Sequence, residues 1–271
     1  MKKLMLACLM AFMVAGCAHL PDWFPGAGPG APPKWDRTTL ASCWDGPNAQ
    51  TRYMNILSPN MSEGAFKEAL KWQEARGCNT LHLFLNNYRN GGYAGYSVYG
   101  PTWSGVKHSA TIKLFKKRIA AAREAGFAYV PWMVADDSAP FAARPEEEWI
   151  ESYKLCKAEG LFADASYVVL GLELNEYWKA DRVARLAKAL REISGLKVGI
   201  HMTSGQVSYA PFGDIFLYQV NPGLSAAQIA QQTALALKTG KPVVFFELER
   251  YPARHLCEVA LGTGAFAVGN W

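Results

Sequence analysis

The chain has 271 residues, half of them hydrophobic and 19% charged, with a formal net charge of +5. That balance excludes a disordered polypeptide, and the length suits one large single-core domain. The charge is too small to mark a nucleic-acid binder, and Lys2 and Lys3, which contribute two units of it, fall in a segment with the look of a leader.

Those lysines precede an apolar stretch from Leu4 to Val14, and small residues then lead to Cys17, the layout of an export signal. The stretch is shorter than the roughly 20 apolar residues that a bilayer-spanning helix needs. Its ending, Val14-Ala15-Gly16-Cys17, resembles the bacterial lipobox. The resemblance implies that 1–17 is a lipoprotein signal with Cys17 lipidated, and that the protein is exported and held at the cell envelope, facing the periplasm or the cell surface. An ordinary cleaved secretory signal is the alternative. Residues 18–37 are rich in Pro and Gly (Pro21, Pro25, Pro29, Pro32, Pro33) and read as a partly stiff tether, leaving 38–271 as the folded domain. Cys43, Cys78, Cys156 and Cys257 in that domain show no zinc-type spacing; they are buried thiols or, after export, disulfide partners.

Short apolar runs then alternate with helical patterns, the signature of βα units and a parallel sheet. Strands are expected at Thr39–Trp44, Thr80–Leu85, Ala128–Val134, Tyr167–Leu174, Lys197–Met202, Ile215–Val220, Val243–Phe246 and Ala265–Val268. Helices are expected at Ser62–Arg76, Ala110–Ala125, Pro145–Ala158, Ala180–Ile193, Ala226–Thr239 and Ala253–Leu261. The link holding Pro211 and Gly213 is too short for more than a vestigial helix. Strict alternation points to an α/β fold of the (β/α)8 TIM-barrel type, a single domain whose last helix is missing because the sequence stops at Trp271. An open doubly wound sheet is the alternative.

In such a barrel function sits where strands end at their carboxyl side. Glu176 follows the run Leu172-Glu173-Leu174-Asn175, and Glu247 closes Val243-Val244-Phe245-Phe246. A single strand-end glutamate is readily a helix cap or a surface residue. Two on one rim are what glycoside hydrolysis needs, one to protonate the leaving oxygen and one to attack or to activate water. Glu173 and Glu249 compete for these roles; Glu173, two residues from Asn175, is expected on the same strand face, and Glu249 is expected to be solvated or paired with Arg250. His201 either lines the cleft or is a satisfied core histidine. Trp132 and Asp136, at the end of the third strand, offer ring stacking and hydroxyl binding. Asp136-Asp137 lacks the companion ligands of a metal site, so no metal and no cofactor are expected. The loop holding Tyr88, Tyr93, Tyr96, Tyr99 and Trp103 either lines the cleft or packs its own rings.

From Thr38 to the end these residues resemble clan A glycoside hydrolases, and most closely the family five cellulase and mannanase type. The carriers are Asn175-Glu176 at the fourth strand, Lys241-Pro242 leading to Glu247 at the seventh, and Gly264–Trp271 as an eighth strand with a platform tryptophan, Trp271. The resemblance implies Glu176 as acid/base, Glu247 as nucleophile, Asn175 on the sugar hydroxyl beside the reacting carbon, and Tyr218 donating to Glu247. Two positions depart from the pattern: His82 stands where the family has an arginine that supports the nucleophile, and Tyr177 where a proline is frequent. The expectation is a retaining glycoside hydrolase for a carbohydrate substrate, β-linked by preference. Its alternatives are a non-catalytic glycan-binding lipoprotein and an anchored protein-interaction module using the tyrosine-rich loop.

Overall fold

The computed structural model describes residues 37–40, 62–75, 79–85, 87–88, 98–99, 107–134, 144–203, 205–219, 223–246 and 254–270. All lie in one compact unit, Trp35–Trp271. Cys17, the tether up to residue 36 and the remainder of the tyrosine-rich loop lie outside the described residues. Among the described residues no helix is long and apolar enough to cross a membrane.

The elements follow the expected alternation: β1 (Arg37–Leu40), α1 (Glu63–Ala75), β2 (Thr80–Phe84), a short antiparallel pair β3 (Asn87–Tyr88) and β4 (Val98–Tyr99), then α2 (Ser109–Glu124) and β5 (Ala128–Trp132). The chain continues through α3 (Glu146–Ala158), β6 (Val168–Val169), the single turn α4 (Leu174–Tyr177), α5 (Ala180–Ser194) and β7 (Val198–Met202). A 3-10 turn, Ala210–Phe212, is the vestigial link to β8 (Ile215–Gln219), and α6 (Ala226–Leu237), β9 (Val243–Phe246), α7 (Arg254–Thr263) and β10 (Ala267–Asn270) follow. Seven parallel strands run in the order β2-β5-β6-β7-β8-β9-β10 and curl, with β1 pairing in parallel with both edge strands, β2 and β10.

Register decides which side chains fill the curl. His82 and Val130 are aligned partners, as are Val169, Gly199 and Ile215, and as are His201, Leu217 and Val244. Residues two apart share a face, so these sets line one side of the sheet. It is the concave side, because the His82 ring on β2 meets Tyr167, beside β6, across the intervening β5. The other face carries Tyr129, Val198, Ile200, Phe216, Val243 and Phe245, all buried. Phe115 of α2 meets Tyr129 edge-on at 6.0 Å, so this side is the sheet–helix core. In α5 the buried residues Val183, Leu186, Ala187 and Leu190 recur at helical spacing, and Gly195 ends the helix in the left-handed conformation. Each such fully buried large apolar side chain contributes about 1.5–3 kcal/mol.

The expected fourth strand, Tyr167–Leu174, is shorter than its apolar run suggests. Only Val168–Val169 pairs, after which Glu173 takes φ 47° and the chain enters α4. Gly171 permits the departure, since a Cβ there would lie 2.3 Å from a Val134 methyl. Leu174 is buried by the turn in place of an extended strand. Glu173 and Asn175 therefore do not share a strand face. Cys156 is fully buried.

Gly213 marks the tight entry to β8: a Cβ there would lie 2.6 Å from Ile200 Cγ1 and 3.0 Å from the Val198 carbonyl oxygen. The backbone oxygen cannot yield as a side-chain end can. Gly213→Ala is expected to cost about 1–3 kcal/mol by overpacking. Gly262→Ala, in α7 where nothing lies within 4 Å, is expected to raise stability by about 0.5–1 kcal/mol. Thermal unfolding of the two variants checks the opposite signs.

Candidate active site

All strands of the curled sheet point the same way, so the carboxyl ends of β6 and β9 lie on one rim. Glu176 lies on α4, after β6, and is exposed. Its N–H donates to the Glu173 carbonyl at 2.9 Å, and among the described residues no side chain bonds to its carboxylate. Glu247, which follows β9 in sequence, lies outside the described residues, as do Asp136, Glu249 and Trp271.

Asn175 is half-buried and clamped to the end of β7. Its Nδ2 donates to Thr203 Oγ1 at 2.6 Å, and its Oδ1 accepts the Thr203 N–H at 2.9 Å. An asparagine amide carries a second N–H and a second lone pair, so this clamp leaves it able to meet a ligand hydroxyl. One step back, the Glu173 N–H donates to His201 Nδ1 at 2.9 Å. The end of β7 thus holds the turn that carries Glu176 at two places.

Beneath this turn the concave side is filled by rings. Trp132 Nε1 donates to His82 Nδ1 at 2.6 Å, and His82 Nε2 lies 3.5 Å from the Tyr167 hydroxyl. The Trp132 and His201 ring centroids are 5.4 Å apart. His82, Trp132 and His201 have no solvent exposure, so they form a floor to the rim and offer no surface to a ligand in this arrangement. Burial pushes His82 well below the usual histidine range, with the neighbouring His201 adding to the effect, and burial alone brings His201 down to about 3. Both rings are neutral at pH 7, and in each Nδ1 is the acceptor, which places the proton on Nε2. His82 accordingly supplies no positive charge where the family pattern has an arginine. His201 is fully buried, and its Nδ1 is taken up by the Glu173 N–H.

Tyr218 is expected to donate to Glu247, which lies outside the described residues. The tyrosine aligns with Met202 and Phe245, one residue out of phase with His201 and Leu217, so it faces the helices. Its ring packs on Phe216 and Phe245, and its hydroxyl accepts the Gly205 N–H. The alternation of β8 accounts for this placement. Thr203 and Tyr167 were not singled out in the sequence, although two-residue spacing from His201 and Val169 was a usable signal for both. Among the described residues no group of three His, Cys, Asp or Glu side chains is arranged to hold a metal.

No protein-family model matches the chain, and no curated protein matches it in sequence. In fold it is similar to solved glycoside hydrolases. One is a GH5_18 from Bifidobacterium longum subsp. infantis, with TM-score 0.56, 13% identity, and 80% of this chain and 65% of that one covered. A second is an exo-beta-1,4-mannosidase from Opitutaceae bacterium strain TAV5, with TM-score 0.60, 13% identity, and 88% and 53% covered. A third is a GH5_18 variant from Bifidobacterium longum subsp. longum ATCC 55813 in complex with Manb1-4GlcNAc, with TM-score 0.55, 12% identity, and 80% and 64% covered. The chain spans between about half and two thirds of the length of these proteins. At such identity the likeness is one of fold, a GH5-like α/β architecture.

Proposed function

We propose that the protein is a retaining glycoside hydrolase acting on a β-linked oligo- or polysaccharide, on a complete (β/α)8 barrel. Glu247 attacks the anomeric carbon and Glu176 protonates the departing glycosidic oxygen. Glu176 then takes a proton from water as that water releases the sugar from Glu247. Asn175 meets the hydroxyl next to the reacting carbon, and Asp136 and Trp271 extend the binding surface. The domain is 38–271, tethered by 18–37 to a lipid on Cys17 at the cell envelope.

The observation that carries this reading is the exposed Glu176 on a turn leaving the carboxyl end of β6, beside an Asn175 held by Thr203, in a fold shared with glycoside hydrolases. A panel of 2-deoxy-2-fluoro glycosides with activated leaving groups tests it. One member is expected to label the protein covalently, with the mass increase on the peptide containing Glu247.

The neutral, buried His82 favours a second reading, a glycan-binding lipoprotein on a degenerate barrel. Saturable glycan binding with neither labelling nor turnover would select it.

A further inference from the structure

The sharp turn between β6 and α4 requires an explanation that its own residues do not supply. Glu173 is held at φ 47° and ψ 42°, the left-handed region that a non-glycine residue occupies only where its surroundings hold it there. Its restraints come from β7, 28 residues further along the chain: Glu173 N–H to His201 Nδ1, and the paired bonds between Asn175 and Thr203. His201 lies on β7 and Thr203 directly follows its last residue, Met202, and both bond to the turn.

We infer that His201 and Thr203 are positioning residues for Glu176, fixing through Glu173 and Asn175 the turn that presents its carboxyl group. This rests on the reading of Glu176 as the acid/base. His201 has no exposed surface and acts on the turn's backbone; it is not a ligand contact. The ring is itself fixed by Trp132, whose indole N–H is in turn held by His82. The support therefore runs from β2 through β5 and β7 to α4. Nδ1 of His201 must remain an acceptor for the chain of contacts to hold, which specifies the neutral imidazole with its proton on Nε2. An acid/base carboxyl displaced by about an ångström loses on the order of a hundredfold in rate, so a rigid backing for an exposed glutamate has a direct catalytic consequence.

The test compares His201→Leu, which removes the acceptor, with His201→Asn, whose Oδ1 replaces Nδ1, and with Thr203→Val, which releases Asn175 from the other side. Amide hydrogen exchange of the peptide covering 172–178 is expected to be about tenfold faster in His201→Leu and Thr203→Val and close to wild type in His201→Asn, with other peptides unchanged. On an aryl glycoside turned over by the wild type, kcat is expected to fall about 10- to 100-fold at unchanged KM in His201→Leu, with His201→Asn keeping most of it. Exchange that rises throughout the protein, or His201→Asn behaving as His201→Leu, would overturn the inference. So would faster local exchange with kcat unaltered. If the wild type turns over no glycoside, the glycosidase reading falls, and exchange at 172–178 still decides whether β7 braces the turn.

Discussion

Glu176→Ala is expected to separate substrates by their leaving groups. For glycosides whose leaving oxygen is a sugar alkoxide, kcat should fall about 10²–10⁴-fold, the usual contribution of a positioned general acid, or roughly 3–5 kcal/mol of barrier. A dinitrophenyl glycoside needs no proton at its departing oxygen, so its first step should stay fast and glycosyl-enzyme should accumulate because no base remains to activate water. Azide, already an anion, should then restore turnover and yield the glycosyl azide. The change ought to be local. Leu174 is buried and Asn175 is bonded to Thr203 independently of the neighbouring carboxylate, which is itself exposed. Equal loss on both substrate types, with no azide rescue, would remove Glu176 from the acid/base role.

Where strand identity follows from local pattern, the sequence was sufficient. Val243–Phe246 occupies the expected strand, and Lys197–Met202 and Ala180–Ile193 shift by one residue at one end. At both edges the match is looser. The strand expected at Thr39–Trp44 is described at Arg37–Leu40, and that expected at Ala265–Val268 lies at Ala267–Asn270. The turn bearing Glu176 is illegible in the sequence, because the apolar run Tyr167–Leu172 reads as a strand and the interactions that bend the chain at Glu173 come from His201 and Thr203, remote in sequence. Tyr218 was a different case. Parity with His201 along aligned β7 and β8 separates the concave face from the helix face, but strand register depends on backbone pairing that a single sequence does not display. The buried partnership of His82 with Trp132 likewise joins β2 to β5, and neither residue alone announces it.

That same buried partnership makes stability sensitive to acid. His82 and His201 are neutral in the folded protein because burial depresses both, His201 to about 3, whereas in the unfolded chain each titrates near the ordinary histidine value of roughly 6.5. Below about pH 6.5 the unfolded chain therefore binds more protons than the folded one, and stability must fall as pH falls. The contribution is complete above the unfolded value and is lost progressively toward the folded one, at about 1.4 kcal/mol per pH unit for each ring. Between pH 6.5 and 5 His201 is expected to cost about 2 kcal/mol, a large part of a typical 5–15 kcal/mol stability, and His82 acts in the same direction. The carboxylates with depressed values among the described residues, Glu63 beside Lys117, Glu146 and Asp181 beside Arg185, and Glu159 beside Lys107, lose their contribution as pH falls through and below the ordinary carboxylate values, so they leave this window to the histidines. Urea unfolding at pH 7, 6 and 5 should show the loss, and His201→Asn, which keeps an acceptor for Glu173 but cannot titrate, should reduce the slope. An unchanged slope in that variant, or stability flat from pH 7 to 5, would show that the rings are hydrated or charged in the folded protein. Because His201 in the folded state stays neutral until about pH 3, the molecules that remain folded at pH 5 should keep the Glu173 hydrogen bond. Acid in this range should thus reduce the folded population without loosening the turn that carries Glu176, and exchange at 172–178 in the folded fraction should not change between pH 7 and 5 beyond its intrinsic pH dependence.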